Sequence, residues 1–340
     1  MPVLDRHQRP LGNLRLSVTD RCNLRCGYCM PEENYTWLER PEVLTLAELK
    51  VLVDAFCLLG VRKVRLTGGE PLLRGDLPEL IRMLKANENL EDIAITTNGV
   101  LLAAQAAELK AAGVGRVTVS LDSLRPDRFY GLSKRNALSK VIAGLEALKE
   151  LGFEKTKIDT VVLKDVNDDE LIDLIHFGRE MQAQVRFIEY MDVGGATRWS
   201  MDSVVSKAEI LERVESQLGP YEKLGERNSA PADRYRLADG TVFGVISSTT
   251  DPFCSACDRS RITAHGNWYT CLYAQKGRDL RTPLRSGVDA EGLAELISAG
   301  WSLRTDRGAE ERVEMAERSA LFDSEQLRKD PRLEMHTRGG

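Results

Sequence analysis

Apolar and polar positions alternate along Leu14-Arg15-Leu16-Ser17-Val18-Thr19, the period-two pattern of a strand. A helical period follows near residues 45–59, and the two patterns then take turns. Strands are predicted at Lys63 to Leu66, Asp92 to Thr97, Arg116 to Leu121, Lys157 to Leu163 and Gln184 to Glu189. Helices are predicted between them, near 76–86, 100–112, 136–151 and 169–183. Such alternation means βαβ units around a parallel sheet, an α/β fold whose six units are two short of a (β/α)8 barrel. Chemistry in such a fold belongs at the C-terminal ends of the strands. From about residue 220 the alternation stops and turn residues take over, as in Gly219-Pro220, Ala230-Pro231 and Asp239-Gly240. A barrel over 1–219 and a second, smaller region over 220–340 are therefore expected. The stretch from Arg304 to Arg338 interleaves both charges and reads as a solvated helix and tail.

Composition narrows the function class. The 340 residues are 42% hydrophobic and 29% charged, ordinary for a globular protein. Lysine and arginine number 47 against 52 acidic residues, a net charge of −5 that argues against nucleic-acid binding. A phosphorylated small molecule needs only a local cluster of cations, so it stays open. The uncharged stretch Ile93 to Ala107 holds two threonines and an asparagine, too short and polar to cross a bilayer. The start Met1-Pro2-Val3-Leu4-Asp5-Arg6 has no secretory pattern, and a cytoplasmic location is expected.

Six of seven cysteines fall into two groups: Cys22, Cys26 and Cys29 (C-x3-C-x2-C), and Cys254, Cys257 and Cys271 (C-x2-C-x13-C). Cys57 lies in an apolar run and reads as a small buried hydrophobe. In a cytosolic chain, clustered cysteines point to metal rather than disulfides. Structural zinc closes with four ligands, and neither group has a fourth cysteine; the histidine nearest either is His265, in a turn-like sequence. Three thiolates on a [4Fe-4S] cluster leave one iron free to bind something else. One pooled zinc site, or cysteines scattered in the core, is the competing reading. There is no P-loop and no GxGxxG after a strand, so a triphosphate would need arginines and lysines instead.

The string Thr19-Asp20-Arg21-Cys22-Asn23-Leu24-Arg25-Cys26-Gly27-Tyr28-Cys29-Met30-Pro31 carries C-x3-C-x-aromatic-C, the signature of radical S-adenosylmethionine (SAM) enzymes. The longer string, together with Cys254, Cys257, Arg259, Arg261 and Cys271, closely resembles the GTP 3′,8-cyclases of molybdenum cofactor biosynthesis. The resemblance covers nearly the whole chain. It implies a partial (β/α)6 TIM-like barrel with a C-terminal iron–sulfur-binding region closing its mouth. It implies two [4Fe-4S] clusters, the first cleaving SAM and the second binding guanine. The radical formed from SAM would take hydrogen from C3′ of GTP, and C3′ would then add to C8.

Residue by residue, the resemblance places Tyr28, Gly69, Ser120 and Met191 against SAM. It places Arg15, Arg65, Thr96, Lys157, Arg259, Ser260 and Arg261 against GTP, with Arg15, Arg259 and Arg261 catalytic. Gly69 belongs to Thr67-Gly68-Gly69-Glu70-Pro71, where glycine would let the backbone approach the SAM amino group. Asp258 stands where the family usually has Asn, and the terminal Gly339-Gly340 matches a di-glycine that reaches the active site. Implied partners are GTP, a reductant, cyclic pyranopterin monophosphate synthase as recipient of the product, and a second copy in a homodimer. A peptide-modifying radical SAM enzyme and an iron–sulfur carrier without turnover are the rivals. The first usually carries more C-terminal cysteines, and the second needs no SAM pocket.

Overall fold

The computed structural model describes residues 3–226 and 228–338. Its strands are β1 (Asn13–Ser17), β2 (Lys63–Thr67), β3 (Asp92–Thr97), β4 (Arg116–Ser120), β5 (Lys157–Val162) and β6 (Gln184–Glu189), then β7 (Tyr221–Leu224), β8 (Asp233–Leu237), β9 (Val242–Ile246), β10 (Arg259–Ile262), β11 (Asn267–Tyr269) and β12 (Arg278–Asp279). Helices α1 (Leu46–Leu58), α2 (Leu77–Lys85), α3 (Leu102–Ala112), α4 (Pro126–Ser133), α5 (Leu138–Glu150), α6 (Leu171–Glu180) and α7 (Lys207–Leu218) accompany the first six strands. α8 (Arg281–Arg285), α9 (Ala290–Ser302), α10 (Gly308–Val313) and α11 (Ser324–Lys329) follow. α1 and α7 start on capping boxes, Thr45 with Glu48 and Ser206 with Glu209.

The sheet runs β12-β11-β10-β1-β2-β3-β4-β5-β6-β9-β8-β7. Within it, the run β10-β1-β2-β3-β4-β5-β6-β9 is parallel throughout, and β11-β12 and β8-β7 continue it antiparallel at the two edges. The region beyond 220 therefore does not stand apart. It contributes the two strands that extend the barrel at its edges, β9 beside β6 and β10 beside β1. Among the described residues β9 and β10 do not pair, so the barrel keeps an open seam. The boundary near 219 falls between α7 and β7.

Strand alternation sorts the side chains. Leu14, Leu16, Val64, Leu66, Ile93, Ile95, Val117, Val119, Ile158 and Phe187 are buried in one hydrophobic core with the apolar faces of the helices, and Cys57 lies in it. The opposite positions, Arg15, Arg65, Thr96, Lys157 and Arg186 among them, face a central cavity. The charged stretch after Arg304 is not the solvated tail its composition suggests. Arg304, His336, Thr337 and Arg338 are all buried, and the segment winds back into the barrel.

Candidate active site

Both cysteine groups open on one cavity of about 730 Å3. The first lies in the loop after β1. That loop is pinned by Gly69 N–H donating to Thr19 O (2.9 Å) and Glu70 N–H to Arg21 O (2.7 Å). A Cβ on Gly69 would meet Arg21 O at 2.3 Å, and one on Gly68, at φ +152°, would meet Thr19 O at 2.4 Å. The glycine pair thus lets the cysteine loop close against the end of β2. Gly69 also lines the cavity, with its N–H held by Thr19 O. Arg25 donates to Cys22 O and Leu24 O under the rings of Tyr35 and Trp37.

Carboxylates surround this group. Tyr28 Oη donates to Asp122 Oδ2 at 2.5 Å. Glu70 accepts from Thr97 Oγ1, Leu72 N–H and Asn98 N–H. Burial pushes Glu70 up to about 7 and Asp122 up to about 6. Burial, with Asp122 or Glu70 adding to it, also pushes the Cys26 thiol up and the Cys22 thiol up to about 11. Ser120 and Met191 line the same wall.

Cations fill the barrel below. Arg65 donates to Thr96 Oγ1 (3.0 Å) and Thr118 Oγ1 (3.1 Å). Arg186 makes a two-pronged pair with Asp159, at 2.7 Å on each side. Burial, then Arg186, Arg116 and Arg65, lowers Lys157 to about 8, and burial, then Arg186, lowers Arg65 to about 10. Burial, with Arg261 and Arg259 beside it, lowers Arg15 as well. Crowded, desolvated cations of one sign favour an anion between them.

The second group sits at the other end of β1. Arg259 pairs with Asn13, the first residue of β1, and Cys257 lies two residues before it. β11 runs back antiparallel to β10 and delivers Cys271 to the same level. β1 has five residues, about 16 Å at roughly 3.3 Å each, so the cysteine groups face each other along the cavity. Arg259 Nη2 and Arg304 Nη2 each donate to Cys257 Sγ at 3.5 Å. Burial opposes ionisation of Cys257, but Arg259 and Arg304 outweigh it and bring the thiol down to about 6.

Alternation on β10 turns Arg259 and Arg261 into the cavity and Ser260 away. The Ser260 hydroxyl, expected against GTP, is fully buried and accepts instead from Trp268 Nε1 at 2.5 Å. Asp258 accepts from Asn13 Nδ2 at 2.5 Å, and its own carbonyl accepts from the N–H groups of Gly12 and Asn13. Ser17 Oγ donates to Thr337 O, and Arg338 donates to Ala274 O at 2.7 Å, so the C-terminal segment touches the neighbourhoods of both cysteine groups. Gly339-Gly340 lie outside the described residues.

The donors fit clusters better than single ions. Among the described residues no three Cys, His, Asp or Glu side chains converge on one ion. Each cysteine group instead presents three free thiols at the cavity wall, the number that holds a [4Fe-4S] cluster with one iron left open. Lys63, Arg116, Asp122, Asp159, Arg186 and Arg304, none of them expected in the site, also line the cavity. Lys63, Arg116, Asp159 and Arg186 carry a signal, charge at inward positions of strands in a parallel barrel, whereas Asp122 and Arg304 lie in loops and carry none.

Residues 16–178 match the Radical SAM superfamily and residues 183–310 match Molybdenum Cofactor Synthesis C. The chain is 56% identical to GTP 3′,8-cyclase 1 of Mycobacterium tuberculosis, over 99% of this chain and 95% of that protein. It is 46% identical to the GTP 3′,8-cyclase of Acidothermus cellulolyticus, over 92% and 89% of the two chains. Among solved structures it is similar in fold to Streptococcus suis SuiB bound to S-adenosylmethionine, with TM-score 0.61, 16% identity, and coverage of 86% of this chain and 69% of that one. It is likewise similar to anSMEcpe with bound AdoMet, with TM-score 0.54, 15% identity, and coverage of 89% and 86%.

Proposed function

The chain belongs to the GTP 3′,8-cyclases, a family of radical SAM enzymes, and on that premise we propose how its residues divide the work. The protein is a lyase that converts GTP to 3′,8-cyclo-7,8-dihydroguanosine 5′-triphosphate, the first step of molybdenum cofactor biosynthesis, using two [4Fe-4S] clusters and SAM. When bound, the first cluster and SAM supply the hydrogen-abstracting radical, and the second offers an open iron to the substrate.

In this reading Cys22, Cys26 and Cys29 hold the first cluster, and Cys254, Cys257 and Cys271 the second. Gly69, Ser120 and Met191 shape the SAM wall, and Tyr28 is held there by Asp122. Arg15, Arg65, Thr96 and Lys157 take the triphosphate into the cationic barrel, with Arg186 and Lys63 beside them. Arg259 and Arg261 project from β10 between the second cluster and Arg15. There they orient the nucleotide and neutralise its charge. Residues 1–219 thus carry the radical-generating cluster and the cations for the triphosphate, and residues 220–340 add the second cluster and the arginines beside it. A one-electron reductant, cyclic pyranopterin monophosphate synthase as recipient of the product, and a homodimer complete the proposal. Among the described residues no helix is long and apolar enough to cross a membrane.

The observation that carries this reading is the single cavity with a cysteine group at each end and cations along the wall between. The test is anaerobic reconstitution with reductant, SAM and GTP, followed by mass analysis of nucleosides and nucleotides. We expect 5′-deoxyadenosine together with a cyclised nucleotide. Deoxyadenosine with GTP unchanged would favour another radical SAM reaction, and no deoxyadenosine at all would favour a carrier.

A further inference from the structure

The chain leaves β6 through Tyr190-Met191-Asp192, and Asp192 is fully buried. Four donors converge on its carboxylate. Arg312 Nε reaches Oδ2 at 2.6 Å and Arg318 Nε reaches it at 2.8 Å. Arg318 Nη2 and Tyr273 Oη each reach Oδ1 at 2.9 Å. The Asp192 carbonyl accepts from Leu321 N–H at 2.7 Å.

These donors come from three places. Tyr273 follows Cys271 by two residues and lines the cavity, as Met191 does. Arg312 belongs to α10, whose first residue, Gly308, packs so tightly that a Cβ there would meet Tyr273 Cβ at 2.5 Å and Cys271 Sγ at 3.2 Å. Arg318 stacks on Trp199 and donates to Thr249 O, in the loop after β9. One buried carboxylate thus joins the end of β6, the loop of the second cysteine group and the segment leading to the C-terminus.

We propose that Asp192 is a positioning residue, resting on the function above, that sets the second-cluster loop and the C-terminal segment relative to the SAM wall. It couples radical generation to the nucleotide without touching either. A buried carboxylate with two guanidiniums has one low-energy arrangement, because any shift leaves a charge unpaired. Loosening it leaves the first cluster and the barrel cations in place but lets the nucleotide drift from the radical source, where small misplacements cost much.

The test compares reconstituted holoenzyme carrying Asp192→Asn or Tyr273→Phe with the parent protein. Cyclised nucleotide per 5′-deoxyadenosine should fall about tenfold in Asp192→Asn, which removes the charge from all four contacts, and about threefold in Tyr273→Phe, which removes one donor and leaves both guanidiniums on the carboxylate. Deoxyadenosine formation should stay within about twofold of the parent, and amide exchange over residues 308–338 should speed up while α2 and α5 stay protected. A merely structural role would lower deoxyadenosine and nucleotide together, and that parallel fall, or an unchanged ratio, overturns the proposal. Should Asp192→Asn fail to load iron, Tyr273→Phe decides. Should the parent make no cyclised nucleotide, the function reading fails instead, and unchanged exchange over 308–338 would still sink the clamp.

Discussion

The two cysteine groups share one cavity and differ in the sign of what surrounds them. Cys22, Cys26 and Cys29 lie among carboxylates, Asp122 bonded to Tyr28 and Glu70 bonded beneath Asn98. Around Cys254, Cys257 and Cys271 guanidiniums predominate, with Arg259 and Arg304 on Cys257 and Arg9 on the Cys254 carbonyl, while Asp306 and Glu310 lie near Cys271 and Cys254. Fields of opposite sign select opposite guests. SAM brings a sulfonium and an amino group and suits the acidic end. A nucleoside triphosphate suits the basic end and the cations below it. The proposed division of labour between the clusters thus agrees with the charges around them as well as with the cysteine spacing.

The largest effect separates the ends outright. Changing Cys22, Cys26 and Cys29 to Ala should abolish 5′-deoxyadenosine, while changing Cys254, Cys257 and Cys271 to Ala should keep SAM binding and some uncoupled cleavage but give no cyclised nucleotide. Each triple variant should keep about four of roughly eight irons per chain, since a cubane holds about four. Cyclised product from the second variant would break the comparison. Next, Arg259→Ala and Arg261→Ala should each lower product about 10- to 150-fold, or about 1.5–3 kcal/mol for a lost charged hydrogen bond. Iron analysis is the control: intact clusters place the arginines with the substrate, and lost iron would place them with the fold.

The first half of the fold was open to reading because its strands and helices obey their periods with apolar residues. β3 runs from Asp92 to Thr97, and β6 from Gln184 to Glu189, as the pattern predicts. β10 was hidden for a physical reason. Its inward positions are Arg259 and Arg261, so only Ile262 is strongly apolar, and nothing marks it as a buried strand. The stretch after Arg304 misled in the same way. Interleaved charges look solvated, yet Arg304 meets Asp5, Arg312 and Arg318 meet Asp192, and Arg338 lies on the rings of Tyr269 and Phe322. Long-range ion pairs of this kind leave no local pattern. α4, with eight residues and two buried positions, was too short to be seen. The cysteine positions followed from spacing, but the outward turn of Ser260 needed the register of β10 against β1.

A smaller effect tests the cationic end by pH. Burial and the neighbouring arginines hold the Lys157 ammonium down at about 8. Phosphate binds the charged form, so nucleotide affinity should be highest below that pH and fall as pH rises through it. The unliganded fold responds with the opposite sign. Its lysine loses a proton more readily than an unfolded one at about 10.4, so stability should rise between about 8 and that value. Lys157→Met should raise the KM for GTP about tenfold near neutrality, as a lost charged contact does, and flatten both trends. A KM that stays independent of pH in the parent would remove Lys157 from the phosphate site.

The smallest effect concerns the carboxylate at the basic end. Asp258 sits between Cys257 and Arg259, but it does not line the cavity. It is buried, burial pushes its carboxyl up, and one oxygen, Oδ1, has no hydrogen-bond partner among the described residues. Its other oxygen accepts from Asn13, fixing the start of β10 beside β1. Asp258→Asn keeps an acceptor for Asn13 and removes the charge from a buried carboxyl. Cyclisation should stay within about twofold of the parent, and stability should hold or rise by about 1 kcal/mol, the scale of relieving a buried unsatisfied polar group. Thermal unfolding and turnover read the two outcomes separately. If the substitution cut turnover while leaving stability unchanged, the carboxylate would be part of the substrate site, a second acid there beside Asp306, which already lines the cavity.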